Sequence, residues 1–202
     1  MQSHSQLNRK AFHLSLFTVG YNIIEGIIAI TAGVFARSSA LIGFGVDSFV
    51  ESLSGSVMIW RFQGNSALSD ETKERIEQKA LRFIGITFIM LGCYVAYEAI
   101  RTLYFWSAPE SSPVGIALTI LSLLIMPTLF YLKRRTAQQL QSKSLAADSK
   151  QTLYCIIMSA AVLVGLLTNT LLGLWQVDPI VGLIITIMLF REGYEAIQGD
   201  ND

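Results

Sequence analysis

Six apolar runs, each close to the roughly 20 residues a helix needs to cross a 30 Å hydrocarbon core, leave this chain little choice of fold. They occupy residues 12–35, 40–60, 80–104, 113–132, 148–175 and 178–196 of a 202-residue sequence. Composition points the same way: 52% of residues are hydrophobic, only 15% are charged, and mean hydropathy is +0.49. An ordinary soluble domain is nearer 25% charged. The expected fold class is an all-α membrane protein, a single domain over residues 1–202 with six transmembrane helices.

The segments between the runs are polar or very short. A polar tail covers residues 1–11, a charged loop about 61–79 and a basic loop about 133–147. Ser112 before Pro113, and Asp178 before Pro179, carry the cap-then-proline pattern of a helix start. The brief segments at 36–39 and around Val177 read as tight turns, so runs one and two, and runs five and six, are expected to form hairpins. The mixed charges from Asp70 to Arg82 sit at helical spacing and read as a solvated extension of the third helix.

Thirteen of the fifteen Lys and Arg, Lys133 among them, fall on one side of this arrangement and only Arg37 and Arg101 on the other, which places both termini in the cytoplasm. The N-terminus lacks the cleavage pattern of a signal peptide, so the first run is expected to remain as an anchor. Only six residues, 197–202, follow the sixth run, and no soluble C-terminal domain is expected there. In a bacterium such a multi-pass protein belongs in the inner membrane.

Fifteen acids balance fifteen bases, so no basic field exists to attract nucleic acid. Cys93 and Cys155 both lie in apolar runs and make no disulfide framework. The sequence has no HExxH, GxSxG or P-loop, and an enzyme is not expected.

Chemistry resides in the acids that lie within the apolar runs, where each carboxylate costs about 2.5–3.5 kcal/mol to insert and needs a partner. Asp47 and Glu51 lie one helical turn apart on the same face, about 6 Å from each other. A divalent ion is the economical way to hold two such charges together; the alternative is a pair of protonated acids bonded to a neighbouring helix. In the fifth run Asp148, Gln151 or Thr152, and Cys155 share one stripe. Carboxylate with thiolate suits zinc or cadmium better than magnesium. Cys155 alone also fits as a small buried hydrophobe, and Asp148 as an N-cap or interfacial ion pair.

Asn22, Glu25, Glu98 and Asn169 are polar positions that can line a pathway or bond across helices, Glu25 foremost. Glu98 lies near Arg101, and Glu192 and Glu195 lie beside Arg191 at the cytoplasmic edge. Ser48, Ser52 and Ser56 with Gly55 form a small-residue ridge for close packing. Pro127 is expected to kink the fourth helix. His4 and His13 read as interfacial.

With these residues in view, the layout resembles the cation diffusion facilitator family of divalent-metal efflux proteins. SALIGFGVDSFVES is similar to that family's second-helix stretch with two ligands four apart, and DPIVGLIITIMLFREGYEAI to its sixth helix. LAADSKQTLYC falls at the fifth-helix position, where the family has a His or Asp followed four residues later by Asp. Here those places read Gln151 and Cys155, which implies that Asp148 joins the ligand set or that the metal preference differs. The resemblance implies a metal/proton antiporter in homodimeric form, exchanging a transported divalent ion for protons, with no permanently bound cofactor. Zinc leads because of Cys155, with iron, manganese, cobalt and cadmium also open. Many members carry a cytoplasmic domain after the sixth helix, and the chain is expected to be a minimal form without it. A non-transporting membrane scaffold that kept the fold is the competing expectation.

Overall fold

A computed structural model describes residues 4–62, 70–106 and 109–198. The charged loop at 61–79 lies partly, and the far C-terminal tail wholly, outside the described residues. Among the described residues there are six helices and no strand: α1 (His4–Ala36), α2 (Ser39–Phe62), α3 (Asp70–Phe105), α4 (Pro113–Leu140), α5 (Lys143–Leu172) and α6 (Val177–Gln198).

The distribution of polarity is turned inside out relative to a soluble bundle. Ile24, Phe35, Met90, Leu124, Leu171 and Ile187 stand exposed on the outer faces. Ser15, Thr18, Asn22, Glu25, Asp47, Ser48, Glu51, Lys133, Thr152 and Ser159 are buried between helices. Such an exterior is stable against lipid and would aggregate in water. By length and composition α1, α4 and α5 each qualify as membrane spans among the described residues. The other three have 24, 36 and 22 residues, enough at about 1.5 Å per residue to cross about 30 Å.

Helix ends follow local chemistry. Ser112 accepts a hydrogen bond from the Gly115 N–H at 3.1 Å, and Pro113 occupies the first helical position of α4. Ser142, rather than Asp148, caps α5 by accepting from the Leu145 N–H. Both helices therefore run beyond the apolar segments: α4 continues eight residues past Leu132, and α5 begins five before Asp148. The basic loop expected at 133–147 is mostly helix for this reason, since Lys, Arg, Ala and Gln are good helix formers. Gly173 ends α5 with φ +67°, where a side chain would be strained. Pro127 lies inside α4.

The helices pack chiefly as three pairs, α1 on α2, α3 on α6 and α4 on α5, with α2 touching α1, α3, α5 and α6 from the centre. The expected hairpin of the fifth and sixth runs is looser than its short connection suggests, because α6 lays its main face on α3. Glycine permits that contact: Gly85 and Gly193 meet so closely that a Cβ on Gly85 would sit 2.6 Å from the Gly193 carbonyl oxygen. Asp178 is not the cap of α6 but lies in its first turn. Its carboxylate instead accepts from Ser38 Oγ at 2.5 Å and from the Ala40 N–H at 3.5 Å, tying the start of α6 to the start of α2.

Candidate functional site

Asp47 and Glu51 both point into the bundle from α2 and are buried. Helical periodicity puts them there, since Phe44, Ser48 and Ser52 share that inward arc while the serines bond back to carbonyls of the preceding turn. From α5 come Asp148, Thr152 and Cys155, all buried along one stripe. Cys155 has no solvent exposure and stands one turn along that stripe from Thr152, which bonds Glu51. Gln151 is half-buried, and its neighbour Thr152 makes the α5 contact to Glu51 instead.

What joins the carboxylates is a lysine. Lys133 of α4 has a side chain with no solvent exposure, and its Nζ lies 2.9 Å from Asp148 Oδ2 and 3.5 Å from Glu51 Oε1. The same ammonium donates to Thr152 Oγ1 at 2.9 Å, and that hydroxyl in turn donates to Glu51 Oε1 at 2.5 Å. Ser54 Oγ donates to the other oxygen of Asp148 at 3.3 Å. Lys133, assigned above to a solvated cytoplasmic loop, is therefore corrected to an interior ion pair. The reason is the continuation of α4, which carries the residue one position past the apolar run back into contact with α2 and α5. Asp148 is neither an N-cap nor an interfacial pair, but the buried partner of this lysine.

Glu51 divides its two oxygens. Oε1 is taken by Lys133 and Thr152, whereas Oε2 is buried and accepts no hydrogen bond among the described residues. A buried carboxylate oxygen without a donor is costly and marks a place where a cation or proton belongs. In this arrangement no three His, Cys, Asp or Glu side chains among the described residues converge to hold a metal ion.

A second polar group adjoins the first. Glu25 of α1 accepts from Tyr21 Oη and from Ser48 Oγ, each at 2.9 Å, so α1 and α2 share a buried carboxylate beside the candidate site. Asn22, three residues earlier, is buried, and neither of its amide atoms has a hydrogen-bond partner among the described residues. Glu192 of α6, placed by sequence at the edge with Arg191, is half-buried, while Glu195 takes the Arg191 ion pair at 2.8 Å. Glu98 pairs with Arg101 at 3.3 Å on the surface, and Asn169 donates to the Pro109 carbonyl, so neither joins the site.

A family profile described as the cation efflux transmembrane domain matches residues 15–198. The chain belongs to the cation efflux family. Among relatives of this cation efflux protein, Transmembrane protein 163 of Xenopus laevis is 24% identical over 190 residues, covering 94% of the chain and 66% of that relative. Protein p34 of Rickettsia prowazekii is 20% identical over 196 residues, 95% of the chain and 64% of its own length. The cadmium, cobalt and zinc/H(+)-K(+) antiporter of Bacillus subtilis is 22% identical over 193 residues, 93% of the chain and 60% of its own. The chain thus spans somewhat under two thirds of the length of these curated relatives.

Proposed function

We propose that this cation efflux protein carries a divalent metal ion across the membrane in exchange for protons, binding it between α2 and α5. The observation that carries the reading is the burial of Asp47 and Glu51 one turn apart on α2, with a Glu51 oxygen that accepts no hydrogen bond among the described residues, in a bundle where α5 also buries Cys155. The Bacillus subtilis relative is named an antiporter of cadmium, cobalt and zinc, which supports the ion class. Zinc leads, because two carboxylates and a thiolate form a set that zinc and cadmium accept and magnesium does not. Asp148 and Gln151 are the further candidate ligands, Asp148 through the network it shares with Lys133 and Thr152.

In this reading all six helices cross the bilayer, both termini face the cytoplasm, and two copies associate. The helix pairs rock about the site to expose it alternately to each side. Carboxylates and thiolate must be deprotonated to bind, so protons arriving from the more acidic side displace the ion.

One observation favours the scaffold alternative: with Lys133 in place, no three candidate ligands among the described residues converge on a point. Uptake of Zn²⁺, Fe²⁺, Mn²⁺, Co²⁺ and Cd²⁺ into proteoliposomes under an imposed pH gradient separates the two. Gradient-driven flux that Asp47→Ala abolishes supports the transporter. Absence of flux for every ion, with Asp47→Ala as stable as the parent, leaves the scaffold.

A further inference from the structure

We infer that Lys133 is a tethered cation that takes the place of the metal when the site is empty, and that an incoming ion displaces it from Glu51. The inference rests on the proposed binding of a divalent ion at Asp47, Glu51 and Cys155, and adds the residue that decides how tightly an ion is held.

Four features of the geometry point to it. The Lys133 ammonium is wholly buried and lies between carboxylates contributed by two other helices, α2 and α5. Its two contacts differ in kind: at 2.9 Å the link to Asp148 Oδ2 is a close ion pair without hydrogen-bond alignment, while the link to Glu51 Oε1 is a long hydrogen bond at 3.5 Å. Thr152 stands between them, accepting from the ammonium and donating to Glu51, so the lysine can leave Glu51 without Asp148 losing its partner. The second oxygen of Glu51, Oε2, accepts no hydrogen bond among the described residues and so remains open to a second cation.

The charges explain why a carrier would keep such a group. With the ion gone, Asp47, Glu51 and Asp148 would repel one another in a medium of low dielectric. An ammonium on a flexible stem neutralises one of them and remains covalently attached, so the empty protein can change conformation without exposing bare carboxylates to the apolar interior. No change in the protonation of Lys133 is involved; the side chain moves as a charged group. The device also sets selectivity against monovalent ions, since only an ion of higher charge gains enough from Glu51 to displace a resident ammonium.

The test uses the full chain in lipid nanodiscs. Binding of Zn²⁺ and Co²⁺ is measured by calorimetry, with Co²⁺ also followed through its thiolate charge-transfer absorption, for the parent, Lys133→Met, Lys133→Arg and Asp47→Ala. Removal of the competing cation should tighten binding in Lys133→Met by about tenfold or more, and Lys133→Arg should stay near the parent. Lys133→Met should also unfold at lower temperature in chelator and recover more than the parent on adding Zn²⁺, a readout that holds even if the variant is poorly stable. Equal or weaker binding in Lys133→Met, with the parent binding in an Asp47-dependent manner, overturns the tethered-cation inference and leaves the transport reading standing. Absence of Asp47-dependent binding in the parent and in Lys133→Met overturns the transport reading and this inference with it.

Discussion

Replacing Gly45 by alanine is expected to destabilise the protein, although alanine is the better helix former. A Cβ at Gly45 would lie 2.8 Å from Cγ1 of Ile30 and 2.9 Å from both the Ala29 Cβ and the Ile30 backbone nitrogen. Ordinary contact begins near 3.4 Å, so α1 and α2 would have to part by about 0.5 Å along that line. The Ile30 side chain can turn, but the Ile30 nitrogen belongs to helical backbone and cannot. Overpacking of one methylene-sized group costs about 1–3 kcal/mol, and the gain in helix propensity returns up to about 1 kcal/mol. The net loss of up to about 2 kcal/mol corresponds to up to about 8 °C in Tm for a chain of this size. Gly20→Ala is the matched control, because nothing lies within 4 Å of its would-be Cβ and only the propensity gain of about 1 kcal/mol remains. Thermal unfolding of both variants in the same detergent, followed by intrinsic fluorescence, should therefore move in opposite directions. A Gly45→Ala protein as stable as Gly20→Ala would refute the claim that backbone proximity holds α1 on α2.

Other consequences can be checked in parallel. If protons and metal compete for the same deprotonated carboxylates and thiolate, affinity for Zn²⁺ must fall as pH falls, about tenfold per unit for each proton displaced; calorimetry in buffers of different ionisation heat counts those protons, and pH-independent affinity would sink the exchange mechanism. Ser38→Ala removes a donor from the buried Asp178 carboxylate and should cost about 1.5–3 kcal/mol, read as a lower denaturation midpoint, whereas an unchanged midpoint would show the tether to be idle. Asn22→Leu should raise stability by about 1–3 kcal/mol, because both amide atoms are buried without partners. If it also lowers flux, Asn22 serves the ion path, and if stability falls instead, the amide has a partner after all.

Much of this architecture is legible in the sequence because a membrane helix must be long and apolar whatever its neighbours. The spacing of Asp47 and Glu51 fixed their common face, and Ser112 with Pro113 announced the start of α4. Lys133 was not legible. It adjoins Arg134 and Arg135 at the end of an apolar run, where basic residues ordinarily enter water, and only the packing of α4 against α2 and α5 shows it inside. Its contact to Glu51 spans 82 residues of chain, and that of Thr152 to Glu51 spans 101, separations over which local pattern carries no information. Thr152 and Gln151 were equally placed by helical spacing, and only the packing of α5 against α2 shows Thr152 buried on Glu51 and Gln151 half-exposed. Glu192 was hidden by Arg191 and Glu195, whose i, i+4 pairing made the whole stretch look like a solvated edge.

The bond from Asp178 to the first turn of α2 has a mechanical consequence. It staples α6 to α2 at one end, and α6 is already seated on α3 through the glycine seam, while α1 lies along α2 in equally close contact. Four helices are thus riveted into a stator. The α4–α5 pair meets these four through its packing on α1, α2 and α6 and through polar links to α2, from Lys133 and Thr152 to Glu51 and from Ser54 to Asp148. Any parting of the pair from the other four would therefore break buried polar links while leaving the Asp178 staple and the glycine seam whole.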